Sequence, residues 1–196
     1  MKEPLHPVAP PWRSRAQGFT LLELLVVIAM LSIALALSVP NLNTGRALAL
    51  AEAKAFNAAL NQARNAAINL SQDVVMCAID QASYQKSLNT DPPPATPPDP
   101  ACASGGWDDG WIIFVDANAD GKPAAAEVIS HRSAMRAGVT VKSTPAATTV
   151  TFARGSGFTA ANGSFVFCTA QDASAGRTVA LAASGRAMRV AGTSRC

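Results

Sequence analysis

The sequence predicts an α+β protein in which a long N-terminal helix, in two halves, carries an antiparallel β-rich head. Three observations support this prediction: an apolar run near the N-terminus, an amphipathic stretch after it, and a series of short strand-like segments over the rest of the chain. The chain has 196 residues, of which 49% are hydrophobic and 15% are charged. This length favours one globular domain plus its terminal segments.

The first half of the predicted helix is the apolar run over residues 19–39, which contains one charged residue, Glu23. At about 1.5 Å per residue, a helix of this length spans roughly 30 Å, the thickness of the hydrocarbon layer of a bilayer. Lys2, Arg13 and Arg15 precede the run against a single acid, and this positive bias keeps the N-terminus in the cytoplasm. We therefore expect a single-pass membrane protein whose head faces outward, into an oxidising compartment.

The second half, over residues 40–72, is predicted to be an amphipathic stem helix. Its apolar residues recur at alternating spacings of four and three, so they form one stripe along a helix. The stripe consists of Ala49, Ala53, Phe56, Leu60, Ala63, Ala67 and Leu70. Packing against the head explains this stripe, and we assign it no binding role.

The head is predicted over residues 73–196, where short apolar runs bounded by Gly, Pro, Asn and Asp are typical of antiparallel strands. The runs read VVMCAI, WIIFVD, EVISHR, VTVKS, TTVTFA, SFVFCT, RTVALAA and RAMRV. Between the first two lies the proline-rich run DPPPATPPDP, residues 91–100. Because proline cannot donate ladder hydrogen bonds, we expect an extended surface loop there, in preference to a polyproline ligand for a recognition domain.

Four cysteines lie in the head, at spacings that do not form the close pairs of a structural zinc site. In an oxidising compartment an even number predicts disulfides, and four cysteines allow three connectivities. Of these we favour Cys77 with Cys102, which would clamp the proline-rich loop, and Cys168 with Cys196, which would hold the chain end to a strand.

The junction GFTLLELLVV, which begins at Gly18, resembles the leader junction of type IV pilins and type II secretion pseudopilins. The resemblance implies a leader peptide over residues 1–18, cleavage by a prepilin peptidase between Gly18 and Phe19, and N-methylation of Phe19. It also implies that Glu23 pairs with the N-terminal amine of a neighbouring subunit, which would compensate a carboxylate in an apolar helix. Contact of Glu23 with lipid headgroups is the alternative. Pro40 resembles the proline that ends the membrane half of the pilin helix.

The segments WIIFVDANADGK, FARGSG and SFVFCTA resemble the GspH/FimT branch of these proteins, which are minor subunits with a β-rich head. The resemblance implies the type IV pilin-like fold and partners among other pilin or pseudopilin subunits. It also implies two possible functions. FimT-type proteins are minor pilins of type IV pili, some of which capture DNA for natural transformation, whereas GspH-type proteins belong to the tip of the type II secretion pseudopilus.

The charge distribution favours the first of these functions. Residues 131–196 hold eight basic residues, seven of them arginine, against one acid, a net charge of +7. Residues 19–130 hold five basic residues and eleven acids. A one-sided basic region is typical of a surface that binds a polyanion, and arginine binds phosphate with two parallel hydrogen bonds. The alternative is a solvated face that keeps the head soluble or contacts an acidic neighbouring subunit.

The candidate DNA contacts are Arg186, Arg189 and Arg195, with Arg154 and Arg177 as a second set. FimT-like DNA-binding proteins carry a C-terminal GRxR motif, and the nearest text here is GRAMR from Gly185, which has one extra residue. In a regular strand this spacing places Arg186 and Arg189 on opposite faces. We predict a DNA-binding minor pilin, with a GspH-like pseudopilin that acts by protein contacts in export as the alternative.

The residue inventory predicts that the chain is not an enzyme. Without residues 1–18, which include His6, the only histidine is His131. No nucleophile elbow or adjacent acid accompanies His131, and no glycine-rich phosphate loop is present. We therefore expect no catalytic residues.

One segment matches a calcium-binding pattern. Asp116, Asn118, Asp120, Gly121 and Glu127 fit the spacing D-x-[DN]-x-[DN]-G-x5-E of an oxygen-rich calcium loop. The flanking segments read as strands, and not as the paired helices that such a loop joins. We therefore favour a hydrophilic hairpin turn over a calcium site, and we expect no other cofactor.

Overall fold

The computed structural model describes residues 20–38, 44–81, 84–85, 99–103, 105–170, 172–192 and 194–196. The chain divides into two compact units, Met1–Leu42 and Asn43–Cys196. Several sequence predictions lie outside the described residues: the leader over 1–18, the junction of Gly18 with Phe19, Pro40, and all but the last two residues of the proline-rich run.

The first unit contains helix α1, Leu21–Ser38, which falls within the helix predicted over residues 19–39. The hydroxyl of Thr20 accepts the backbone N–H of Glu23 at 3.2 Å, as expected of a threonine that caps a helix start. In the described ranges, no helix is both long and apolar enough to cross a membrane. Residues 19 and 39, the two ends of the predicted span, lie outside the described residues.

The second unit contains helix α2, Thr44–Leu70, and two antiparallel sheets of four strands each. The strand order is β3-β2-β1-β5 in the first sheet and β4-β6-β7-β8 in the second. Each of the eight predicted segments overlaps one observed strand, so the predicted α+β architecture is confirmed. The strands are β1 Val74–Ala78, β2 Trp111–Val115, β3 Val128–Arg132, β4 Val139–Thr144, β5 Thr149–Phe152, β6 Gly163–Thr169, β7 Asp172–Leu181 and β8 Ala187–Arg189.

The core lies between α2 and the two sheets, and Phe56 of α2 is at its centre. The Phe56 ring lies 4.8–5.4 Å from four other aromatic rings, those of Trp107, Trp111, Phe165 and Phe167. Of the predicted stripe, every residue but one is buried. The exception is Leu70, which is 53% exposed because it is the last helical residue and the chain leaves the helix at Ser71, which has a φ of 53°.

Two disulfides hold segments of the head together. They join Cys77 to Cys102 and Cys168 to Cys196, the pairs favoured from the sequence. The first covers the outer face of the first sheet, where Cys77 and Phe114 are buried, and the inner face of that sheet packs on α2. Because both of its faces are covered, β1 is buried at every position.

Candidate functional site

The second sheet ends in an edge formed by β8 and the chain that follows it. β8 pairs with β7, and Val190 then donates its backbone N–H to the carbonyl of Thr178 at 2.9 Å. Further on, Ser194 and Gly176 exchange backbone hydrogen bonds of 2.9 and 3.0 Å. The C-terminal residues therefore run along β7 as an extension of the edge strand.

Three arginines lie along this edge, and we call Arg186, Arg189 and Arg195 the arginine edge. Arg186 precedes β8, Arg189 pairs with Val179 of β7, and Arg195 follows the residue that bridges to Gly176. At about 3.3 Å per strand residue, the three positions spread over roughly 20 Å. All three side chains are exposed. Within the described ranges, none of them forms an ion pair or a hydrogen bond.

The arginine edge presents charge on both faces of the sheet. The register between β7 and β8 has no shift, so Arg189 shares the face of Ala187, which is buried. Arg186 lies on the other face together with Met188 and Val190, and both of these apolar side chains are about half exposed. The opposite-face placement predicted for Arg186 and Arg189 is therefore observed.

The second set of predicted contacts, Arg154 and Arg177, is engaged within the head. Arg154 forms an ion pair of 3.0 Å with Asp73, and its hydrogen bonds hold the pKa of the Asp73 carboxyl below the usual value. Arg177 donates from Nη1 to the carbonyl of Gly192 at 3.1 Å. These two guanidiniums offer fewer free donors than the arginine edge, although the side chain of Arg154 is still 67% exposed.

The remaining basic residues within 131–196, the region with a net charge of +7, also have protein partners. Arg132 donates from Nη2 to the buried carboxylate of Glu52 at 2.6 Å, and Nε of Arg136 lies 3.7 Å from the same carboxylate. Lys142 donates to the backbone oxygen of Cys196. Five of the eight basic residues are thus engaged within the head, and those of the arginine edge are left.

Glu52 is a buried charge that the sequence analysis missed. The periodicity that predicts the stripe marks apolar residues only, so it does not mark an acid on the same face. The signal was present, because Glu52 follows Ala49 by three positions and precedes Phe56 by four, which places it on the stripe itself. An acid at such a position calls for a buried basic partner.

One end of the arginine edge is held by two turns, residues 153–158 and 182–186, which we call the paired turns. Gly185 has a φ of +76°, and a Cβ on it would lie 1.8 Å from the carbonyl oxygen of Gly157. Arg64 of α2 donates from Nε to the carbonyl of Ser184 at 3.2 Å, and its side-chain carbons lie against both glycines. The paired turns therefore bring Arg64, Arg154 and Arg186 to one end of the head, although Arg64 was not predicted.

The segment over residues 116–127, which matches the calcium-binding pattern, forms a hairpin turn in which its acids accept backbone N–H groups. The Asp116 carboxylate accepts from Gly121 at 3.2 and 3.3 Å, and Asp120 accepts from Lys122 at 2.7 Å. Asn118 bonds to Asp120, and Glu127 accepts from Ala124. Over the described residues, no three His, Cys, Asp or Glu side chains are grouped so as to hold a metal ion. The acids of this segment thus take part in the hydrogen bonds of a hairpin turn.

Comparisons with known proteins agree with this architecture. The profile of the family described as type II transport protein GspH matches residues 52–185. The prokaryotic N-terminal methylation motif matches residues 13–39, which implies a membrane-anchored component of a pilus or pseudopilus. No curated protein matches the chain.

Two solved structures of the type IV minor pilin FimU from Pseudomonas aeruginosa (strain PAO1) share the fold. They are 21% and 20% identical to this chain, with TM-scores of 0.53 and 0.52. Each match covers 72% of this chain, and the two matches cover 87% and 91% of the FimU chains. From the profile match over most of the head and the shared fold, the chain belongs to the GspH family of minor pilins and pseudopilins.

Proposed function

We propose that this chain is a FimT-like minor pilin of a type IV pilus whose arginine edge binds DNA for uptake in natural transformation. The observation that supports this proposal best is the alignment along one sheet edge of three exposed arginines that have no protein partner among the described residues. Charges that stabilised the head would have partners within it, as Arg132 and Arg154 do. A row of free guanidiniums is instead suited to phosphates supplied by a ligand.

The proposed contact is with the DNA backbone and not with base edges. The stem helix α2 is packed on both sheets, so it cannot enter a major groove. The arginine edge offers point contacts roughly 20 Å from end to end, which position a polyanion without reading its sequence. We therefore expect binding with little sequence preference and a strong dependence on salt.

The test is binding of the detergent-solubilised full chain to a labelled duplex at several salt concentrations. If each arginine neutralises one phosphate, the slope of log affinity against log salt is about −2.7, so a fourfold rise in salt weakens binding roughly 40-fold. Replacing Arg186, Arg189 and Arg195 together by glutamine should remove most of this dependence. A matched control replaces the exposed residues Arg46, Lys54 and Lys122 by glutamine, which removes the same charge elsewhere.

The two triple variants separate a site from a general charge effect. Loss of binding in the arginine-edge variant alone, together with loss of transformation, supports the proposal. Equal weakening in both variants would contradict a localised site. No binding by the parent chain at low salt would leave only the second candidate function.

Assembly is proposed to follow the pilin route. Prepilin peptidase would cut between Gly18 and Phe19. Before assembly, the chain would remain in the inner membrane with its head in the periplasm. Glu23 would then pair with the amine of a neighbouring subunit. Replacing Glu23 by alanine should leave membrane insertion intact and abolish incorporation into filaments, and normal incorporation would refute the pairing. The role is structural, and we propose no enzymatic activity.

The second candidate is a GspH-like pseudopilin of the type II secretion system, which is favoured by the description of the matching family. In that case the arginine edge would contact an acidic surface on a partner subunit or on an exported protein. Crosslinking from position 189 in cells would distinguish the two functions, because a protein adduct is expected for a pseudopilin and a DNA adduct for the minor pilin.

A further inference from the structure

One phenylalanine among the described residues of the head lies on the surface. Of the six phenylalanines that the structure describes, five are at most 3% exposed, whereas Phe158 is 59% exposed. Phe158 ends the first of the paired turns and follows Arg154 by four positions. Leaving a phenylalanine in water forgoes the stabilisation that its burial would supply.

The turn holds Phe158 in a fixed position. Ala153 donates its backbone N–H to the carbonyl of Phe158 at 2.8 Å, and the hydroxyl of Ser156 accepts the N–H of Phe158 at 3.3 Å. On its C-terminal side, Thr159 donates to the carbonyl of Ala183 in the second turn at 3.0 Å. A side chain presented by such a backbone loses little conformational entropy when a ligand covers it.

The surroundings of Phe158 are basic. Gly157, its neighbour, touches Gly185, and Arg186 comes next in that turn. Arg154 and Arg64 lie at the same end of the head. Asp73 is the acid that contacts this group, and it is paired with Arg154. The paired turns thus combine an exposed ring with three guanidiniums.

We infer that Phe158 is a stacking platform for an unpaired base of single-stranded DNA, with an adjoining phosphate held by Arg186. The inference rests on the proposed DNA binding and adds a preference for single-stranded segments. Exposed aromatic rings beside basic residues bind single strands because every base has a face that can stack. A duplex hides those faces within its own stack, so it can contact the arginines but not the ring.

The test measures binding of the full chain in detergent to a labelled thymidine oligonucleotide and to a duplex of equal length. Phe158→Ala should weaken single-strand binding roughly 5- to 150-fold and leave duplex binding unchanged, since stacking on one base contributes about 1–3 kcal/mol. The slope of log affinity against log salt should not change, because no charge is removed. Ile129→Ala, which removes another exposed apolar side chain from β3 of the first sheet, should leave both affinities unchanged.

A second variant gives a direct signal. Phe158→Trp should retain single-strand binding and add a fluorescence that the oligonucleotide quenches and the duplex does not. If the parent binds DNA but Phe158→Ala keeps the affinity for both forms, or weakens both equally, the stacking platform is refuted. The proposal for the arginine edge is then unaffected. If the parent binds neither form, both proposals fail. If Phe158→Ala affects only incorporation into filaments, the ring is a subunit contact and the inference is overturned.

Discussion

Glu52 and Arg132 form a 2.6 Å ion pair in which the Glu52 side chain is fully buried and the Arg132 side chain remains 35% exposed. The Arg132 guanidinium also lies 5.0 Å from the centre of the Trp111 ring, which contacts Phe56 as well. The pair joins α2 to the end of β3. It therefore connects the stem helix to the first sheet by a polar contact at the margin of the aromatic core.

Removing one member of this pair should destabilise the head. Arg132→Met leaves Glu52 with Arg136 at 3.7 Å as its remaining basic partner in the described chain, and we expect a loss of about 3 kcal/mol in the free energy of unfolding. Urea unfolding followed by the fluorescence of the buried Trp107 and Trp111 measures it. The control Arg189→Met, at an exposed position without a partner, should cost less than about 0.5 kcal/mol. Equal effects would mean that the buried pair does not stabilise the head.

A side chain at Gly185 should force the paired turns apart. Gly185→Ala places a Cβ 1.8 Å from the Gly157 carbonyl oxygen and also strains a positive φ. Gly155→Ala is the matched control, because Gly155 has a similar φ of +68° with open space around it. We expect a loss of about 1 kcal/mol for the control and at least twice that for Gly185→Ala, measured by thermal unfolding. Equal losses would show that backbone strain alone accounts for the effect.

The stability of the head should depend on the protonation of Asp108. Burial raises the pKa of the Asp108 carboxyl, whose Oδ1 accepts the backbone N–H of Val141 at 2.6 Å. Because the pKa of Asp108 is raised in the folded state, its contribution to stability is fully present below its pKa in the unfolded state, about 3.9. That contribution is lost as pH rises through the pKa of the folded state. Asp108→Asn keeps an acceptor without a charge, so it should melt higher than the parent at pH 7 and equally near pH 3. A lower melting temperature of this variant than of the parent at pH 7 would contradict the prediction that the charge on Asp108 destabilises the head.

Calcium should not stabilise the hairpin turn over residues 116–127. Its carboxylates already accept backbone N–H groups, so we expect the same melting temperature in calcium and in chelator. Asp120→Ala should cost about 1 kcal/mol in either solution, because it removes the acceptor for the N–H of Lys122. Calorimetric heat on adding calcium to the parent, absent from Asp120→Ala, would show that the turn is a binding site.

The mature protein should begin at Phe19 with a methylated amine. This prediction depends on the junction beginning at Gly18 and on the match to the N-terminal methylation motif over residues 13–39. Intact-mass and N-terminal analysis of protein from a host with prepilin peptidase would measure it, and a host without the peptidase is the control. A chain that begins at Met1 in both hosts would refute processing at this site.

Local patterns in the sequence were enough to determine the elements of this fold. The periodicity of apolar residues depends on near neighbours only, so it predicted α2 and all eight strands. The two disulfide pairs were favoured among three connectivities that the sequence alone does not separate. Leu70 was predicted to be buried because periodicity alone cannot show where a helix ends. The positive φ of Ser71 ends it.

Only the tertiary structure decided which charges are free and which are engaged. Arg132 and Glu52 are 80 positions apart, as Arg154 and Asp73 are 81 apart, and no local pattern pairs residues at such distances. Residues 131–196 carry a net charge of +7. Among the basic residues that the structure describes in this region, only those of the arginine edge have no protein partner. The segment FARGSGF likewise does not indicate that Phe158 is exposed, because burial depends on what packs against a residue. The paired turns meet only when both sheets are formed.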